Sequence, residues 1–406
     1  MEPKIRFKGF SGVWKETTIS ETGKCISGIG FPEQEQGGRT GIPFYKVSDM
    51  NNVGNEKVMT VSNNYVSLEQ VKKNGWKVIT DVPAIYFAKV GAAVLLNRKR
   101  LVLTPCLCDN NTMLFSFDKV KWDSFFCYSY FETLDLSSLV QVGSLPSYNN
   151  NIVGKINILQ PIPKEQKAIG LYFKYLDDLI QSTIKKIESL KQVKAASLQS
   201  MFPQGREKIP SVRFNNFNSE WRICKLGAIL TERHEVSTIT EELPQLSFTI
   251  ADGVIRPEDR KTNQRDFLIK DKDNKRYLIT RVGDIIYNPA NVVFGAIHRN
   301  SLIDGVVSPI YRIFYTNQDS RFIECVVRRP SFISQLAMRT EGTVTKLKTL
   351  KPKAFLDMEV CIPTDQYEQI AIGEYFRNLD RQINLQTQRL EKLKQIKSAC
   401  LDNMFV

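Results

Sequence analysis

Two patterns in this chain occur twice. Pro3, Arg6, Phe7, Phe10 and Trp14 return 207 positions later as Pro210, Arg213, Phe214, Phe217 and Trp221, in the arrangement P-x-x-R-F-x-x-F-x-x-x-W. A-I-G-L-Y-F (168–173) returns as A-I-G-E-Y-F (371–376), and the offset of 203 then holds for some thirty residues. It pairs Leu176 and Asp177 with Leu379 and Asp380, L-K-Q-V-K (190–194) with L-K-Q-I-K (393–397), and Met201-Phe202 with Met404-Phe405. Between these matched ends the halves are unlike. A chain with this pattern is built as variable domain, repeated segment, variable domain, repeated segment.

The repeated segments carry helical spacing. Ile169, Phe173, Leu176, Ile180, Ile184, Ile187, Leu190, Val193, Leu198 and Met201 step mostly by three and four, and Ile372, Phe376, Leu379, Ile383, Leu390, Leu393, Ile396, Leu401 and Met404 repeat the stripe. Gly falls only in the first turn (Gly170, Gly373); Pro163 and Pro363 precede the helices, and Pro203 and Gly205 close the first. Some 34 residues give a helix of about 50 Å at 1.5 Å per residue. Equal helices with equal stripes most simply bury them against each other, as an antiparallel pair; packing of each on its own domain is the alternative. The boundaries expected are 1–155 for the first variable domain, 156–205 for the first helix, 206–358 for the second domain and 359–406 for the second helix.

The intervening stretches hold short β-rich runs between turn residues: Ala84-Ile85-Tyr86-Phe87-Ala88, Val94-Leu95-Leu96, Asp284-Ile285-Ile286-Tyr287 and Tyr311-Arg312-Ile313-Phe314-Tyr315. The fold class is mixed α/β (α+β): two globular domains separated by two long helices, with a pseudo-two-fold internal repeat. Tyr86 to Gly91 and Val282 to Asn288 each set a turn glycine beside a buried strand.

Charge points to a partner. Lys and Arg number 56 against 43 Asp and Glu, a formal net charge of +13, which favours a polyanion. The first repeated segment (164–202) has seven Lys and four acids; the second (365–405) has six of each sign. The variable domains therefore hold most of the excess. Basic and polar residues gather near their turns: Lys46, Ser48 and Asn51; Lys89; Asn97, Arg98, Lys99 and Arg100; Arg256, Arg260, Lys261 and Arg265; Arg281, Asn288 and Arg299. Arg and Lys suit guanine edges and phosphates, Asn suits adenine, and 97–100 is the strongest cluster.

Catalytic signals are sparse. Histidine occurs only as His234 and His298, and His298, in A-I-H-R-N, reads as a surface residue or one facing DNA. No G-x-x-x-x-G-K-[ST] phosphate loop occurs. Asn288-Pro289-Ala290-Asn291 approaches the Asn-Pro-Pro-aromatic loop of DNA amino-methyltransferases but lacks its second proline and its aromatic, and Gly28-Ile29-Gly30 is a lone G-x-G. The eight cysteines are scattered, and Cys106 and Cys108 stand too close for a zinc knuckle; reduced thiols and no metal are expected. No apolar run reaches the roughly 20 residues that span a bilayer, so a cytoplasmic chain with no membrane partner is expected.

The openings, I-P-F-Y-K-V-S-D-M (42–50), Tyr86 to Gly91, Gly283 to Asn288 and the two E-Q…A-I-G-x-Y-F…L-D segments (Glu165-Gln166, Glu368-Gln369) together resemble the specificity subunit of type I restriction-modification enzymes, over nearly the whole chain. One departure is that G-S-L-P-S-Y (143–148) is only loosely echoed by E-G-T-V-T-K (341–346). The resemblance implies a non-catalytic subunit of a methyltransferase/endonuclease. Its two target recognition domains would each read half of a bipartite double-stranded DNA site, with the helices as a ruler for the spacer. It also implies two modification (methyltransferase) subunits docked on the helices and restriction (translocase-nuclease) subunits beyond them, with S-adenosylmethionine, ATP and Mg²⁺ on those partners and no cofactor on this chain. The competing readings are a stand-alone or fused DNA-modifying or cleaving enzyme, and a coiled-coil scaffold.

Overall fold

The computed structural model describes residues 2–140, 146–205, 207–260, 275–341 and 349–406. They form two compact units, Met1–Ile184 with Gln388–Val406, and Lys185–Thr387. This division cuts across the boundaries expected from sequence. Each unit holds a variable domain, the first part of the helix that follows it, and the last part of the other helix.

The repeated segments are single helices, Pro163–Ser200 and Gln366–Met404, of 38 and 39 residues, about 57 Å each at 1.5 Å per residue. They are therefore longer than the apolar stripe alone suggested. The first stops at Ser200, and Gly205 beyond it takes a positive φ of 57° that a side chain would oppose. Ile169, Phe173, Leu176 and their counterparts Ile372, Phe376 and Leu379 are buried, whereas Val193 and Ile396, also 203 apart, are exposed. In the first helix the stripe stays buried through Ile180 and Ile187 and opens at Val193.

Within each unit the helix segments run antiparallel. In the first unit Tyr172 Oη lies 3.2 Å from Cys400 Sγ, Asp177 pairs with Lys397 at 2.9 Å, and Phe173 meets Phe405 with ring centroids 5.5 Å apart. In the second, Tyr375 Oη lies 2.9 Å from Ser197 Oγ, Asp380 pairs with Lys194, and Phe376 meets Phe202 at 6.1 Å. Every one of these pairs maps onto its counterpart by adding or subtracting 203.

The duplicated motifs meet in the packing. Arg6 grips the buried carboxylate of Glu165 with two bonds, of 2.7 and 2.8 Å, and Arg213 grips Glu368 with two of 2.7 Å. Both glutamates are 1% exposed, so each needs its guanidinium fork to be tolerated there. Gln166 and Gln369 accept from the backbone N–H of Asp123 and Asp319 and donate to the carbonyls of Pro161 and Pro363. Structurally, then, Pro161 is the equivalent of Pro363, and Pro163 is the first residue of its helix. Asp123 and Asp319 in turn cap the domain helices Ser124–Thr133 and Ser320–Arg328.

The glycine of A-I-G-x-Y-F has a steric cause. A Cβ on Gly170 would lie 2.4 Å from Asp123 Oδ1 and 2.6 Å from Phe126 N; on Gly373 it would lie 2.7 Å from Asp319 Oδ1 and 3.0 Å from Phe322 N. Each long helix thus crosses the capped end of a domain helix at near backbone contact. Around that crossing the aromatic residues close the core. Trp14 packs edge-on to Phe126 and Phe405, and Trp221 edge-on to Phe322 and Phe202.

Each domain is built on a four-stranded antiparallel sheet. In the first the order is Gly23–Ser27, Thr112–Phe117, Ala84–Ala88, Lys99–Val102; in the second it is Leu230–Glu232, Arg312–Thr316, Ile285–Tyr287, Ile297–Arg299. Ile85 faces Phe115 and Ile285 faces Phe314, which aligns Ile85–Phe87 with Ile285–Tyr287. Gly91 therefore follows its strand and Gly283 precedes its own. A smaller three-stranded sheet accompanies each (Tyr65–Val66, Ile42–Tyr45, Leu107–Cys108; and Val236–Ser237, Tyr277–Thr280, Gly305–Val307). Val94-Leu95-Leu96 is not a strand but part of a 3₁₀ turn, Ala92–Leu96, with Val94 buried and the two leucines exposed.

Gly373→Ala is expected to lower stability by about 1–3 kcal/mol, as overpacking does, while Gly37→Ala, whose Cβ would meet nothing within 4 Å but whose φ is 91°, tests strain alone. Phe405→Ala is expected to cost about 3–5 kcal/mol. Urea denaturation of the intact chain checks all three.

Candidate nucleic-acid interface

The loop after strand Ile42–Tyr45 begins with a 3₁₀ turn, Val47–Asn51. Buried Asp49 accepts from the N–H groups of Lys46 (2.7 Å) and Asn63 (2.9 Å) and shapes it. Asn55, fully buried, accepts from the N–H of Thr60 and Val61 and donates to the carbonyls of Asp49 and Val61. Ser48 and Asn51 are left exposed at its surface. Neither Asp49 nor Asn55 is among the candidates from sequence, although a carboxylate four residues beyond a strand end is a turn signal.

The 97–100 cluster separates into two groups. Asn97 takes a left-handed conformation (φ 49°), and its amide donates to Leu134 O and accepts from Leu136 N. Lys99 is 4% exposed; its ammonium donates to Asn97 Oδ1 and Leu134 O, and burial pushes its pKa down to about 8. Arg100 donates to the carbonyls of Asn55, Lys99 and Met50, tying the Val47–Asn51 turn to the sheet edge. Arg98 alone reaches outward, donating to Asn51 Oδ1 at 2.7 Å. So Asn97, Lys99 and Arg100 serve the scaffold, and Arg98, Asn51 and Ser48 form the polar surface they support.

The other candidates are dispersed. Lys46 Nζ donates to Gln36 Oε1 (3.1 Å) and Lys89 Nζ to Ser27 Oγ (2.9 Å). In the second unit Arg256 is exposed with Glu258 3.9 Å away, and Arg260 is half-buried. Lys261 and Arg265 lie outside the described residues. Asn288 closes its own turn by accepting from Ala290 N. Arg299 is held near Glu324, at 3.6 Å, and Arg281 reaches Glu235 at 2.8 Å.

His298 is not a surface residue. It is 4% exposed, its Nε2 lies 2.8 Å from Ile250 O, and Phe248 stands edge-on to its ring. Gly253, at φ +69°, leaves room for it: a Cβ there would lie 2.7 Å from the His298 Cβ. Burial, and then the charge of Arg328, push its pKa down from 6.5 to about 4, against the bond to Ile250. Among the described residues no three His, Cys, Asp or Glu side chains are grouped to hold a metal ion.

An exposed Asn amide beside an Arg guanidinium suits purine edges in a major groove, and nothing in this arrangement activates a nucleophile. The family described as "Type I restriction modification DNA specificity domain" matches residues 13–192. No curated protein matches the chain by sequence. Among solved structures, the S subunit of a type-I restriction-modification system from M. genitalium superposes with a TM-score of 0.62 at 14% identity, covering 100% of this chain and 99% of that one. The HsdS subunit from Thermoanaerobacter tengcongensis gives 0.42 at 13%, with 98% and 97% covered. The first of these likenesses establishes a shared fold along the full length.

Two outcomes follow from the side-chain positions. Arg98→Ala is expected to weaken duplex DNA binding by about 1–3 kcal/mol with the melting temperature unchanged, whereas Lys99→Ala and Arg100→Ala lower the melting temperature; fluorescence anisotropy and thermal melts separate the two. The folded pKa of His298 lies below the unfolded value, so the unfolded chain takes up its proton first. Stability should fall as pH drops from about 6.5 to about 4 and level off below, by on the order of 3 kcal/mol. His298→Gln should flatten that segment of a pH–stability curve.

Proposed function

From a chain whose residues 13–192 match the type I restriction-modification DNA specificity family, we propose a protein that reads one split DNA sequence, each unit contributing one half-site. Its role is choice of sequence rather than catalysis. The carrying observation is the repeated frame itself. The Arg6–Glu165 and Arg213–Glu368 pairs, the capping aspartates and the helix-end phenylalanines recur in both units, so two unlike domains are mounted on one kind of base. Unlike domains on like mounts suit two different half-sites.

The long helices act in this reading as the ruler. Their 38 and 39 residues exceed what either domain needs for its core, and the stripe loosens at Val193 and Ile396. Two modification subunits dock along the helices, restriction subunits join them, and S-adenosylmethionine, ATP and Mg²⁺ are bound by those partners. No helix of the described residues is long and apolar enough to cross a membrane, and double-stranded DNA is the polyanion that the net charge of +13 attracts.

With the modification subunit present, the chain should protect two short sequences separated by an unprotected gap in a footprint. One continuous protected site would overturn the reading. Inserting one heptad into both long helices should lengthen the preferred gap and leave both half-sites as they were; methylation mapping reads gap and half-sites together. The scaffold alternative predicts no steep fall of DNA affinity with salt.

A further inference from the structure

The second unit contains an open cleft of about 680 Å³ between its recognition domain and the helices, all of it lined by residues of that unit. Six cations line it: Lys194, Arg299, Arg321, Arg328, Arg377 and Arg381. Three carboxylates, Asp252, Glu324 and Asp380, are interleaved with them. Four of the cations are engaged, Lys194 with Asp380, Arg321 with Asp319 and Glu374, and Arg299 and Arg328 with Glu324. Arg377 and Arg381, exposed and one helical turn apart, make no ion pair or side-chain hydrogen bond among the described residues.

The first unit offers a direct comparison, because the repeat supplies the equivalent positions. Adding 203 takes Lys174 and Asp178 to Arg377 and Arg381. Lys174 and Asp178 neutralise each other across 2.7 Å, where the second unit has two like charges. The offset of 196 that relates the capping aspartates takes Glu132 to Arg328. Lys57, from the recognition domain, also pairs with Asp177, which Lys397 holds at 2.9 Å while reaching Glu132 at 2.8 Å. That four-membered network closes the seam and leaves Asp177 buried, whereas its counterpart Asp380 is exposed. One seam is shut and neutral; the other is open and positive.

Like charges at i, i+4 on an exposed helix face are mildly destabilising, and five of the six cations are arginines, whose planar forks suit carboxylate and phosphate alike. The interleaved carboxylates decide between these ligands. A phosphodiester brings only acceptors and offers no donor to Asp252, Glu324 and Asp380. A peptide brings carboxylates for the arginines and backbone N–H donors for the acids. We propose that the cleft between the recognition domain and the helices of the second unit binds an acidic segment of a partner polypeptide, anchored on Arg377 and Arg381, and that the first unit has no equivalent site.

This deepens the reading of the chain as one subunit of an assembly. The two helix mounts then differ in how a partner holds them, the second being the salt-sensitive one. The test uses the full chain, a fluorescein-labelled hexaglutamate peptide, and a duplex carrying the target. The wild-type chain should bind the peptide at low salt. Arg377→Glu with Arg381→Glu, both at exposed positions, should weaken that binding at least tenfold and leave the affinity for the duplex within twofold. Lys174→Glu in the first unit should change neither. The proposal is overturned if the wild-type chain does not bind the peptide, if the double variant binds it equally well, or if the variant loses duplex affinity instead, which would assign the cleft to phosphate. Footprinting the wild-type chain in the same series tests the split-site reading separately, since loss of the split footprint with retained peptide binding would remove that reading and keep the cleft.

Discussion

Neither domain of this chain can finish its core with its own residues. In the first unit the ring of Phe405 fills the space between Trp14, Phe126 and Phe173; in the second Phe202 fills the space between Trp221, Phe322 and Phe376. Each plug arrives at the end of a helix that began elsewhere. The rest of the architecture follows: the antiparallel run of the helix segments, the close crossing at Gly170 and Gly373, and the buried Arg–Glu pairs that fasten each opening motif to the start of a helix.

The buried frame and the polar surface of the first domain are made by different residues. The frame is made of buried groups with fully specified partners, such as Glu165, Gln166, Glu368 and Gln369, where a substitution leaves a charge or donor stranded. The polar surface beside the Val47–Asn51 turn is made of other groups, the exposed Asn51 and the half-buried Arg98 that donates to it. This separation lets the domains diverge between the repeated ends. It also explains why the two sheets keep their strand order and the central Ile–Phe pair (Ile85 with Phe115, Ile285 with Phe314) while most of their other side chains differ.

Much of the frame was legible in the sequence because duplication marks it. The opening motifs, the A-I-G-x-Y-F segments and the helix-end Met-Phe pairs stand out as matches, and helical spacing reveals the helices. The sequence does not display that Arg6 and Glu165, 159 residues apart, are one ion pair, because nothing local ties them. The site was less legible. The run Asn97 to Arg100 is uniformly polar, yet the left-handed turn at Asn97 leaves Arg98 at the rim and starts the strand with a buried Lys99. His298 looked like a surface residue because the glycine that makes room for it is 45 positions earlier, at Gly253. Val94-Leu95-Leu96 has strand composition, but Gly91 and the left-handed Asn97 on either side fold it into a tight turn.

The two units also differ in how their parts are spread along the chain. The second is drawn from one continuous stretch, Lys185–Thr387, whereas the first needs Met1–Ile184 together with Gln388–Val406. A ribosome delivers residues in order, so the unit written second has all its pieces first. The unit written first must wait, with Trp14 and Phe126 lacking their final neighbour, until some 220 further residues have been made. During that interval its unsealed core is the part of the nascent protein most exposed to wrong partners, and a chaperone that shields apolar surface would matter most there.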